Sequence, residues 1–215
     1  MGRLSHLFRQ ALLLPAFTTS KAYWEGRYRL GGTSGEGSLG GLADFKAEVV
    51  NDFVRDNAVE SVLEFGCGDG RQLALARYPR YLGLDVSAAA IRLCREQFED
   101  DPSKSFLCCD PAGAPGLASF LTADLTLSLD VIYHLVEEQV YGQHLGDLFA
   151  ASERFVIVYS SNRADPAKVP HVRHREFTTD VARRFPEFRL VRTVENRFPE
   201  DSFCSFFIFE RIERA

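Results

Sequence analysis

The sequence predicts an α/β domain: a seven-stranded sheet of five parallel strands plus a C-terminal antiparallel hairpin, helices on both faces, and an N-terminal helical and lid extension. Three observations predict it. Residues 61–70 run from apolar positions through Glu64 into Gly66, Gly68 and Gly70, spaced by single residues, and then into a helical pattern; strand, tight loop and helix follow one another there. Downstream, apolar strand-like runs alternate with helical patterns, which signals parallel strands joined by crossovers. Residues 189–194 and 203–209 have no helical pattern between them, only the turn-rich 196–201, so they pair as a hairpin.

A chain of 215 residues with 46% hydrophobic content buries one substantial core. Residues 1–58 read as the helical and glycine-rich extension, and 59–215 as the sheet domain. The net charge of -5 argues against a general nucleic-acid or anionic-membrane binder, which needs a basic excess to attract phosphate. Five cysteines (Cys67, Cys94, Cys108, Cys109, Cys204) form no C-x-x-C pair and have no histidines at zinc spacing; they read as buried thiols of a reducing compartment, with no metal site. Cys108 and Cys109 would face opposite sides of a strand, so one of them could be exposed. The run 11–17 after Arg3 and Arg9 is too short for a leader and is broken by Pro15. No stretch approaches a membrane span, and the expectation is a cytoplasmic protein without stable membrane insertion.

In chain order, Leu4, Leu7, Phe8, Ala11 and Leu12 predict an amphipathic helix over about 3–13, ended by Pro15. Residues 31–41 are too glycine-rich for a packed helix or strand, yet Tyr23, Trp24, Arg27 and Tyr28 precede them; a lid over a site explains aromatics and arginines that a bare linker would not need. Leu42, Phe45, Val49, Val50 and Phe53 share one face of a helix over 42–57. Strands are expected near 61–66, 80–85, 104–109, 124–130 and 153–159. Helices are expected near 70–78, 87–99, 114–121, 137–150 and 177–185.

This ordered set, with Glu64-x-Gly66-x-Gly68-x-Gly70 on the first strand, resembles the class I S-adenosylmethionine-dependent methyltransferases, a Rossmann-like family, over about residues 60–210. The resemblance implies S-adenosyl-L-methionine as cofactor. Its methionine part would lie over Gly66, Cys67 and Gly68, where a Cβ would collide with it, and Glu64 would help hold its amino end. Asp85, ending the second strand before Val86, would accept the ribose hydroxyls, the geometry that dinucleotide folds use. Asp110 would take the adenine amino group, and Leu129 and Asp130 would border the sulfonium. Each carboxylate also has a plainer reading as a helix cap or turn former; at Asp85, Ser87 is free to cap instead. A nicotinamide-dependent oxidoreductase is the nearest rival, but its G-x-G-x-x-G fingerprint puts the third glycine one residue later. The segment 23–48 resembles the N-terminal block of a bacterial methyltransferase group, which makes Tyr23, Trp24, Arg27 and Tyr28 acceptor-side candidates.

Methyl transfer is an in-line displacement, and a hydroxyl acceptor must also lose a proton. His134, just past the fourth strand, is the candidate base, with Tyr133 beside it. His171, Arg173, His174 and Arg175 form a basic cluster after the fifth strand, close in sequence to Asn162; it would clamp phosphate or carboxylate on an acceptor. The expected acceptor is a small polar, anionic or glycan-like molecule methylated on oxygen. The alternative is a non-catalytic subunit that binds the cofactor for a partner. Asp130, Asn162 and Asp165 lack the adjacent Asp-Asn pair that a magnesium-assisted relative would need.

Overall fold

The computed structural model describes residues 15–110 and 120–212. The helix expected over 3–13 lies outside them, as does that over 114–121 except for its last two residues. The element order is α1 (Ser20–Arg29), α2 (Gly40–Asp56), β1 (Val62–Phe65), β2 (Tyr81–Asp85), α3 (Ala88–Gln97), β3 (Lys104–Cys108), β4 (Ala123–Leu129), α4 (Glu138–Ala150), β5 (Ser152–Ser160), α5 (Phe177–Arg184), β6 (Phe188–Val194) and β7 (Ser205–Arg211). The strands form one sheet in the order β3-β2-β1-β4-β5-β7-β6. β1 pairs in parallel with β2 and β4, and β7 is antiparallel to both β5 and β6. The sequence expectation of five parallel strands and a terminal hairpin is met.

Every residue of β1 is buried, as a strand covered on both faces requires. On one face, Phe45, Val50 and Val54 of α2 and Ile91 and Cys94 of α3 pack on Leu125, Leu127 and Ile157. On the other, Leu145, Leu148 and Phe149 of α4 and Phe177 and Val181 of α5 pack on Leu63, Phe65 and Val156. β1 sits between β2 and β4, so the chain reverses its direction of winding there; ligands of open α/β sheets collect at that switch point, beyond the carboxyl ends of the strands.

Two local expectations are corrected. Residues 70–78 form only a single 3-10 turn, Leu73–Leu75. Asn51 of α2 competes with a longer helix: its amide oxygen accepts from Arg77 N at 2.8 Å, the donor that a helical bond to Leu73 O would have used, and its amide nitrogen donates to Leu75 O at 2.9 Å. The glycine-rich segment is not devoid of helix, because Glu36–Ser38 makes a 3-10 turn and α2 begins at Gly40. The helix α1, over residues 20–29, was not foreseen; Thr19 caps it, its hydroxyl accepting from Ala22 N.

The chain enters β1 through one carboxylate. Asp124 Oδ2 accepts from Glu60 N at 2.8 Å and Ser61 N at 3.0 Å, and Ser61 Oγ accepts from Asp124 N at 3.0 Å. Losing these bonds leaves two backbone donors without their partner. Water reaches the Glu60 donor, so Asp124→Ala is expected to lower unfolding free energy by about 0.5–1.5 kcal/mol in urea titrations, with little change in the m-value.

Candidate active site

The loop after β1 is bent by Gly66 (φ 88), Gly68 (φ 59) and Gly70 (φ 79), conformations that favour glycine. A Cβ on Gly66 would stand 2.5 Å from Val131 Cγ2, and one on Gly68 would meet Ser34 Oγ and, at 2.9 Å, Tyr28 Oη. Only glycine at 68 lets the N-terminal segment close down on the loop.

That segment forms a roof anchored to successive strand ends. Asp69, after β1, accepts from Ser34 N (3.1 Å) and Ser34 Oγ (2.7 Å). After β2, Glu25 Oε2 accepts from Ser87 Oγ at 2.6 Å and Ala89 N at 3.2 Å. Lys21 pairs with Asp110 after β3 at 2.8 Å. Beyond β4, Ser20 Oγ donates to Glu137 Oε2 at 2.5 Å and lies 2.7 Å from His134 O. Tyr23 stacks on His171 with centroids 4.6 Å apart.

Between roof and sheet lies a cavity of about 440 Å³, large enough for a nucleoside-sized ligand. Glu64, Gly66, Cys67 and Gly68 line it, as do Asp85, Val86, Asp110, Leu129 and Asp130. Trp24, Tyr28 and His134 complete the sequence-derived residues that reach it. Cys109 also lines it while Cys108 is exposed, and all five cysteines are free.

Burial sets the charges here. Asp85 Oδ2 accepts from Gly68 N at 2.9 Å and Oδ1 from Ser87 N at 2.8 Å; desolvation still outweighs these bonds and pushes its carboxyl up to about 6. Glu64 is raised by burial to about 7, against the opposing bond from Tyr81 Oη at 2.6 Å. Burial drives His134 down to about 4. Its Nδ1 is 3.0 Å from His171 O; a carbonyl only accepts, so Nδ1 carries the proton and Nε2 keeps its lone pair. Asp130 holds a left-handed backbone (φ 60), and its carboxylate accepts from Lys46 Nζ at 2.5 Å and Tyr133 Oη at 2.9 Å.

Other sequence-derived candidates are placed elsewhere. Tyr23 is buried beneath the roof, and Arg27 Nε donates to Thr33 O at 2.6 Å. Tyr133 is half-buried against His134 and Phe203. Asn162 binds Thr178 at the start of α5 through both ends of its amide. The basic cluster is no clamp facing the cavity: Arg173 donates to Val136 O and pairs with Glu138, and Arg175 donates to Leu135 O and Val136 O. The carbonyls of the loop before α4 outcompete solvent for these guanidinium groups. His174 bonds Ser161, and His171 gives its carbonyl to His134. Among the described residues, no group of three His, Cys, Asp or Glu is placed to hold a metal ion, and no helix is long and apolar enough to cross a membrane.

Sequence reasoning missed Lys46 and Gln72, both of which line the cavity. Lys46 carried a signal, since it lies four residues from both Leu42 and Val50 on the buried face of α2. The roof anchors Lys21, Glu25 and Ser34 carried none, because their partners are distant in sequence.

Residues 62–154 match the family model described as a methyltransferase domain. The N-methyltransferase NodS from Bradyrhizobium japonicum WM9, solved with S-adenosyl-L-homocysteine, superposes with a TM-score of 0.71 at 15% identity, covering 91% of this chain and 100% of that one. Magnesium protoporphyrin IX methyltransferase (ChlM) from Synechocystis PCC 6803, with S-adenosylmethionine bound, gives 0.64 at 17% identity, covering 92% and 99%. The methyltransferase domain of bacterial CtHen1-C gives 0.64 at 19% identity, covering 79% and 98%. At these identities the likeness is one of fold, and no curated protein sequence matches the chain. The cavity's own residues fit the S-adenosyl ligands that the NodS and ChlM structures carry: glycines where the backbone must approach closely, one buried carboxylate at the end of β2 and a second on β1. Residues 62–154 match a methyltransferase domain, set within a fold that the chain shares with S-adenosylmethionine-dependent methyltransferases.

Proposed function

We propose that the enzyme methylates a hydroxyl oxygen of a small polar or glycan-like acceptor, with His134 Nε2 as the base. The observation that carries this reading is the neutral His134, fixed through Nδ1 to His171 O and lining the cavity with its other nitrogen unengaged. When bound, S-adenosylmethionine supplies an electrophilic methyl group on a sulfonium. Asp85 would hold the ribose hydroxyls, Asp110 the adenine amino group, and the Gly66–Gly68 backbone the methionine portion, with Leu129 and Asp130 beside the reacting centre. Trp24, T-shaped against His134 at 4.9 Å, and Tyr28 wall the acceptor side and exclude water.

An anionic acceptor loses its support, because Arg173 and Arg175 are spent on carbonyls and Glu138. The net charge of -5 also disfavours a nucleic-acid acceptor. The free thiols favour a cytoplasmic location.

The test is methyl transfer from labelled S-adenosylmethionine to a panel of hydroxyl and amino acceptors. Transfer to hydroxyls, with kcat reduced about 10²-fold or more in His134→Gln and S-adenosylhomocysteine affinity unchanged, is the expected outcome. Transfer to amines alone, or full turnover by His134→Gln, removes the base assignment. Binding without any turnover favours the partner-subunit reading. Because only neutral His134 accepts a proton and burial holds its pKa near 4, kcat is expected to stay level from neutral pH down to about pH 5 and to fall below that.

Cofactor affinity has a different pH dependence. Asp85, raised to about 6, is protonated below that value and then accepts hydroxyl bonds poorly. Calorimetry with S-adenosylhomocysteine should show affinity falling as pH drops through about 6, approaching tenfold per unit, with proton release on binding. Glu64, raised to about 7, acts in the same direction. Asp85→Ala should weaken binding by about tenfold to a hundredfold at neutral pH.

A further inference from the structure

We propose that Gln72 and Lys46 hold the amino-acid end of the donor, Gln72 Oε1 accepting from its ammonium and Lys46 donating to its carboxylate. The inference rests on the donor reading above. Gln72 lies in the turn after the glycine loop, outside every motif that the sequence singled out. Its Nε2 donates to Ala43 O at 3.0 Å, which fixes the amide so that Oε1 points the other way. That oxygen is buried and has no hydrogen-bond partner among the described residues, although Gln72 lines the cavity. A buried acceptor left unpaired is uncommon in folded proteins and costs stability, so one on a residue that lines a ligand cavity points to a donor on the ligand.

Lys46 supplies the opposite charge. Its side chain is 1% exposed and makes one ion pair, to Asp130. An ammonium has three N–H donors, so two remain uncommitted in a cation that lines the cavity. Glu64 lies near enough to feel the Lys46 charge, and both line the same cavity as Gln72 and Asp130. A simple anion placed there meets Glu64 and Asp130, and a simple cation meets Lys46. A group carrying an ammonium and a carboxylate on one carbon satisfies the free N–H bonds of Lys46 and the orphaned oxygen of Gln72 together.

The experiment compares S-adenosylhomocysteine with 5′-methylthioadenosine, which shares the adenosine and sulfur but lacks the amino-acid group. Binding to the full chain is read by calorimetry. Gln72→Leu is expected to weaken S-adenosylhomocysteine about tenfold, the size of one lost charge-assisted bond, and to leave 5′-methylthioadenosine unchanged. Lys46→Met should do the same and more. If Lys46→Met fails to fold because Asp130 loses its partner, Gln72→Leu decides alone. Unchanged S-adenosylhomocysteine affinity in Gln72→Leu, or equal weakening of both ligands, overturns the proposal. A wild-type chain that binds neither ligand overturns the donor reading itself.

Discussion

The Asp85 carboxylate joins the parts from which the site is made. One oxygen takes the Gly68 N–H and the other the Ser87 N–H, so the end of β2 fixes both the glycine loop and the start of α3. Ser87 then caps that helix, accepting from Ala90 N, and donates to Glu25 of the roof. Loop, strand, helix and roof thus meet at one residue. Burial raises the energy of its charged form, and the two backbone donors offset part of that cost. A buried carboxylate with only part of its acceptor capacity used is suited to ligand hydroxyls.

The roof depends on bonds of unequal strength. The Lys21–Asp110 pair is exposed, with side-chain exposures of 56% and 33%, and contributes little in water. The bonds from Ser34 to Asp69 and from Ser20 to Glu137 are better shielded, and the aromatic chain Trp24, His134, His171, Tyr23 packs without charge. The roof is therefore held chiefly by hydrogen bonds and stacking at the β1, β2 and β4 loops. Gly68 makes this contact feasible, since any side chain there would strike Ser34 and Tyr28. The loop proposed to approach the donor is also the one that receives the roof.

The sheet was legible because its determinants are local. Apolar runs such as 124–130 report burial on both faces, Ser87 reports a helix start, and the absent crossover between 194 and 203 reports the hairpin. The acids at strand ends were legible for the same reason: a ligand crevice lies beyond the carboxyl ends of parallel strands, so their position in sequence nearly fixes their position in space. What failed was set at long range. Asn51 takes a backbone N–H that a helix needed, that of Arg77, 26 residues away, and Arg173 and Arg175 look like an anion clamp until the carbonyls of Leu135 and Val136 come within reach. Lys46 stood on an apolar helix face, a visible anomaly, yet its partner Asp130 is 84 residues distant.

The central claim is that the donor binds between the roof and the sheet. Trp24, the only tryptophan of the chain, lines that cavity from the roof side and reports on it directly. Titration with S-adenosylhomocysteine should change Trp24 fluorescence saturably, with the same midpoint as the calorimetric binding curve, and the response should shift to higher ligand concentration in Asp85→Ala. Calorimetric binding that leaves Trp24 emission untouched, or no binding at all, would contradict the account.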